Sequence, residues 1–100
     1  MTLYSEKTNG KKVIYLPTKI EQKIILPFRD SYIEDRHIKE FIIDFSYVKS
    51  IESSILGILL NMRKSLPGAS IILINCCKKC ITLFELSGIN KLFNINTRST

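Results

Sequence analysis

The chain has 100 residues, of which 45% are apolar and 24% charged. That is enough for one domain with one core, spanning 1–100, and too little for the second lobe a multi-substrate enzyme would need. Its net charge is +6; residues 1–50 hold nine Lys/Arg against seven Asp/Glu, a net +2, and residues 51–100 hold six against two, a net +4. The plain reading of this charge is a solvated lysine-rich surface; if the charge serves a partner, the second half is the side expected to meet an acidic one.

No stretch approaches the roughly 20 apolar residues of a membrane helix. The start, "MTLYSEKTNGKK", lacks the apolar core of a secretory signal. A cytoplasmic protein without membrane insertion is expected.

In chain order, "TLYSEKTNGKKVIYLP" places β-prone residues on both sides of Asn9-Gly10. This dipeptide accepts the positive φ angles of a tight hairpin turn, so residues 2–7 and 12–16 are expected to pair antiparallel. Pro17 ends the second strand because it cannot donate to a ladder. Apolar residues at 24, 25, 28, 32 and 33 follow a helical spacing, and Pro27 is tolerated only in a first turn. A helix from Leu26 to Arg36 follows.

Phe41, Ile42, Ile43 and Phe45 form a nearly continuous run, the pattern of a central strand covered on both faces, with Asp44 near its carboxyl end. From Ile55, positions 55, 58, 59 and 62 share one helix face. Arg63 and Lys64 complement the dipole at that helix's end, and Pro67-Gly68 stops it. "ASIILIN" predicts another buried strand, and "CCKKCITLFELSG" a helix closed by Gly88. "KLFNI" predicts a last strand or a docked tail, and "NTRST" a frayed end. The order is β-β-α-β-α-β-α with an optional final β. The fold class is α/β, with a mostly parallel sheet and an antiparallel amino-terminal edge strand.

Cys76, Cys77 and Cys80 are three in number and do not complete a zinc set locally, since the one further soft ligand, His37, lies far off in sequence. Small buried thiols at a helix start are expected, and neither a metal nor a cofactor. Glu21, Asp44 and Glu52 could gather at one sheet end, but without a histidine beside them they make no acid–base pair. The basic residues are spread without an aromatic platform, which argues against nucleic acid.

"SIESS" lies where a strand hands over to a helix, the place where ligands gather in such folds. Ser53 suits the N-cap, its Oγ accepting from a first-turn amide. Ser53, or alternatively Ser54, also suits phosphorylation, because an anion is favoured beside free amides at the positive helix end.

"FIIDFSYVKSIESSILGILL" and "LFELSGINKLFNI" resemble the STAS domain family of sulfate transporters and anti-sigma-factor antagonists. Asp44-Phe45-Ser46, Glu52-Ser53-Ser54-Ile55-Leu56 and Leu83 to Ile89 fill the family's motif places, as does Thr18-Lys19-Ile20-Glu21 upstream. Glu52 stands for the usual aspartate, Ile55 for the glycine after the serines, and Thr18 for an earlier glycine. The resemblance implies a non-enzymatic, anti-sigma-factor-antagonist type of regulator. Ser53 would be phosphorylated by a kinase that doubles as an anti-sigma factor, and a phosphatase would reverse this. Partner contacts would come from Glu21, Glu52, Ser53, Ser54, Ile55 and Leu56. The alternative is a constitutive scaffold, or a small subunit of a complex such as a lipid-transport ABC system, and a homodimer stays open.

Overall fold

The structure, a computed structural model, describes residues 3–97. Seven strands and three helices follow one another: β1 Ser5–Thr8, β2 Lys11–Tyr15, β3 Lys19–Ile20, α1 Ile25–Ile33, β4 Glu40–Asp44, β5 Ser50–Ile51, α2 Ser54–Ser65, β6 Ser70–Cys76, α3 Lys78–Ser87 and β7 Asn94–Thr97. Single 3₁₀ turns precede α1, at Gln22–Ile24, and follow α3, at Ile89–Lys91. The five-stranded sheet has the order β1-β2-β4-β6-β7, and β3 pairs with β5 in a separate two-stranded sheet. Only β1 runs antiparallel to its neighbour in the large sheet. The α/β fold expected from the sequence is the observed one.

The hairpin forms where Asn-Gly requires it. Thr8 pairs with Lys11, leaving Asn9 and Gly10 as a two-residue loop with φ of 25° and 82°. Residue 2 of the expected first strand lies outside the described residues. Helix α1 starts one residue before the expected Leu26 and ends at Ile33, three residues before Arg36. It ends there because the chain turns back on itself, the Asp35 amide donating to the Tyr32 carbonyl and the Ile38 amide to that of Asp35. Gly88 closes α3 at φ 82°, a left-handed angle that costs glycine little. Asn96 and Thr97 do not fray, since β7 includes them and Thr97 pairs with Cys76. Residues 98–100 of the expected frayed end lie outside the described residues.

The sheet corrects one expectation. Lys12, Ile14, Phe41, Ile43, Ile71 and Leu73 are buried on one face, whereas Val13, Ile42, Ile72 and Ile74 on the other are only half-buried. The central strands are thus fully covered on one side. The physical reason lies in the topology: the order β2-β4-β6-β7 never reverses, so crossovers of the usual right hand stack every helix on the same side.

That side holds the core. Helix α1 contributes Phe28 and Tyr32, edge to face with centroids 5.7 Å apart, and α2 contributes Ile55, Ile58, Leu59 and Met62. Phe84 of α3 meets Phe45 edge to face at 5.8 Å. One polar pair enters the same region. Lys12 Nζ donates to Asp35 Oδ2 at 2.6 Å and to the Ser31 carbonyl, and both charged side chains are buried. Arg63 does more than complement a dipole. Its Nη2 donates to the carbonyls of Leu66 and, at 2.6 Å, of Ala69, fastening the α2–β6 loop. Arg63→Ala is expected to cost about 1.5–3 kcal/mol, the range for charge-assisted hydrogen bonds. It should appear as a lower urea midpoint with an unchanged slope.

Candidate functional site

The short sheet builds the site. Parallel pairing of Lys19 with Ser50 and of Ile20 with Ile51 brings the two chain segments out side by side. Glu21 and Glu52 each follow the last paired residue, so they emerge together. Both line a cleft of about 510 Å³, with Gln22 and Lys23. The amides of Lys49 and Ser50 donate to the Thr18 carbonyl at 2.7 and 3.1 Å, fixing the register.

Glu21 is the charged hinge of this cleft. Lys23 Nζ lies 2.9 Å from its Oε1, and Lys19 Nζ 3.8 Å from its Oε2. The hydrogen bond from Lys23 holds the carboxyl below its ordinary range against the opposing effect of partial burial, and the two lysine charges act in the same direction. Glu21 is therefore an anion at neutral pH, balanced by cations at its own rim.

Ser53 follows Glu52 and is exposed. It sits at the N-cap of α2, as expected, but its side chain makes no capping hydrogen bond. Its φ of −61° and ψ of −16° are already helical, whereas a capping side chain needs the extended region to reach over the first-turn amides. The Ile55 amide bonds instead to the Glu52 carbonyl at 3.1 Å, and the Leu56 amide to the Ser53 carbonyl at 3.0 Å. The first turn is thus less rich in free amides than expected, and the Ser53 hydroxyl is not engaged as a cap.

The other expected contact residues divide. The Ser54 Oγ is shielded from solvent and has no hydrogen-bond partner among the described residues. Ile55 is fully buried, because the face 55, 58, 59, 62 turns inward, so it belongs to the core and offers nothing for a partner to touch. Leu56 is half-buried against that core. Asp44 stands at the carboxyl end of β4, as expected, but outside the cleft. Its Oδ1 accepts from the Ser46 amide at 2.7 Å, from the Ser46 hydroxyl and from Asn75 Nδ2 at 3.2 Å, tying β4 to the end of β6. Gln22 and Lys23 were missed from sequence; Lys23 could have been found from its place two residues after Glu21. No group of three or more His, Cys, Asp or Glu able to hold a metal occurs among the described residues. No described helix is long and apolar enough to cross a membrane.

The architecture is shared with solved structures. The anti-sigma factor antagonist SpoIIAA in its unphosphorylated form superposes with a TM-score of 0.82 at 19% identity, over 96% of this chain and 89% of that one. An anti-sigma-factor antagonist (STAS) domain protein from Planctomyces limnophilus gives 0.81 at 13% identity, over 99% and 92%. The Bacillus cell fate determinant SpoIIAA in its phosphorylated form gives 0.69 at 20% identity, over 96% and 92%. No curated protein matches by sequence. The STAS domain family matches residues 10–100, and with the fold in agreement, the chain belongs to that family.

Proposed function

We propose that this domain is a non-enzymatic regulator of the anti-sigma-factor-antagonist type, docking on a serine kinase that doubles as an anti-sigma factor. Phosphorylation of Ser53 by that kinase ends the docking, and a phosphatase restores it. Such a cycle uses ATP and belongs in the cytoplasm. The observation that carries the reading is the exposed Ser53 hydroxyl, not engaged as a cap, directly after one wall of the Glu21–Glu52 cleft. Ser53 is favoured over Ser54 because the Ser54 oxygen is shielded.

The switch needs no refolding. A phosphate adds about −1.5 to −2 charges at neutral pH. At Ser53 it would stand beside Glu52 and close to Glu21, so an acidic group on a partner docked there would be repelled. Lys23 is already engaged with Glu21 and cannot fully offset the added charge.

The test is incubation with ATP and the partner kinase, then mass mapping and binding assays. One phosphate is expected on Ser53 and none on Ser53→Ala. Ser53→Ala should keep its partner, and Ser53→Asp should bind at least about tenfold more weakly, about 1.4 kcal/mol. Equal binding by both variants, or phosphate at another residue, overturns the reading.

A further inference from the structure

The Ser53 reading leaves aside the three thiols at the other helix mouth, where β6 passes into α3. Cys76 is 1% exposed and Cys80 0%, while Cys77 is half-buried and reachable from solvent. Cys77 is the N-cap of α3, with φ of −76° and ψ of 169°, and Cys80 lies three residues on. That spacing brings two side chains onto one helix face. Here it sets the two sulfurs 3.5 Å apart, Cys77 Sγ donating to Cys80 Sγ. The Cys76 sulfur is 4.0 Å from the Ile74 carbonyl.

We propose that Cys77 and Cys80 form an oxidisable dithiol that closes to an intrachain disulfide on meeting hydrogen peroxide. Three independent features converge on it. The two sulfurs already face each other, and rotation about the side-chain bonds closes the gap to the roughly 2.05 Å of a disulfide. The more accessible thiol is the one at the start of the helix, where first-turn amides and the dipole favour an attacking sulfur anion, with exposed Lys78 and Lys79 next in sequence. The second thiol is buried directly behind the first, so it is reached by an intermediate on Cys77 and shielded from bulk oxidant. A Cys-x-x-Cys opening the helix of a β-α-β unit is the arrangement that thiol redox chemistry uses.

The step balances as follows. The Cys77 sulfur attacks one peroxide oxygen, the O–O bond breaks, and hydroxide leaves with the thiol proton as water, giving a sulfenic acid. The Cys80 sulfur then attacks the Cys77 sulfur. The S–S bond forms, the S–O bond breaks, and the second hydroxide leaves with the Cys80 proton as water. Two electrons pass from the sulfurs to the peroxide, and a thiol reductant reverses the change.

The folded full-length chain is treated with hydrogen peroxide at neutral pH, digested without reduction and mapped by mass. The expected product is a monomer that has lost two hydrogens, with the bridge joining Cys77 to Cys80. In Cys80→Ser the sulfenic acid should persist on Cys77 and be trapped by dimedone, and in Cys77→Ser no bridge should form. Brief iodoacetamide treatment of the native wild type, which needs no variant, should label Cys77 ahead of Cys76 and Cys80. A bridge through Cys76, a bridge between chains, or a circular-dichroism-folded wild type that forms no bridge overturns the proposal. So does preferential labelling of Cys76 or Cys80.

Discussion

Lys12→Met is expected to lower folding stability by about 3–5 kcal/mol, the range for removing one partner of a buried ion pair. The native ammonium satisfies Asp35 Oδ2 at 2.6 Å and the Ser31 carbonyl, and it is only 3% exposed. Methionine fills a similar volume but leaves both oxygens without that donor. Lys7 still reaches Asp35 Oδ1 at 3.2 Å, but its side chain is largely exposed and screened by water. Because a small domain has only about 5–15 kcal/mol in total, the single variant could fail to fold. The double variant Lys12→Met with Asp35→Leu removes both charges and should regain most of the loss.

The same pair predicts an acid limb. The hydrogen bond from Lys12 chiefly lowers the Asp35 carboxyl from its ordinary 3.8, burial opposes this, and Lys7 assists. A group whose folded value is depressed stabilises the fold above its unfolded value. That contribution is therefore complete above about pH 5 and lost as pH falls below about 4. Urea midpoints of the wild type and of the double variant, taken from about pH 3 to about pH 7, will show it. Parallel pH profiles for the two proteins would remove Asp35 as the source.

Phe84→Ala should cost about 3–5 kcal/mol. Phe84 is fully buried in α3 and meets the fully buried Phe45 edge to face. Alanine loses the transferred ring surface, leaves a cavity that the sheet cannot collapse to fill, and removes an aromatic contact worth about 0.5–1.5 kcal/mol by itself. Phe84→Leu, which keeps most of the volume, should cost under about 1.5–2 kcal/mol. The comparison of the two midpoints is decisive: equal losses would mean that volume without the ring recovers nothing, and would overturn the expected rescue by leucine.

The elements legible in the sequence were those with a local cause. Asn9-Gly10 can hardly do other than turn, Gly88 closes a helix by adopting an angle other residues avoid, and the 55-58-59-62 stripe has one place to go. The serines at the mouth of α2 were legible for the same reason, since they interrupt an apolar run where a strand ends. Contacts made across the fold were not legible. The pairing of Ile20 with Ile51 involves two residues on each side, below the length at which alternation shows, yet it is what brings Glu21 to Glu52. Nothing local marks Lys12, beside Lys11, for burial; only the turn after α1 supplies the carboxylate that lets it be buried. The one-sided cover of the sheet was hidden because Phe41, Ile42 and Ile43 are apolar without alternation, a pattern that two-sided burial also produces.

The flanks of the large sheet carry a further consequence. On one side β1 is the tetrapeptide Ser-Glu-Lys-Thr, and on the other β7 is Asn-Ile-Asn-Thr, each four residues long and mostly exposed. The apolar-rich strands β4 and β6 never form an outer margin. A neighbouring molecule in a crowded solution therefore meets short, hydrophilic selvedges that offer little backbone to zip onto, and the apolar-rich ribbons that would seed fibrils stay interior.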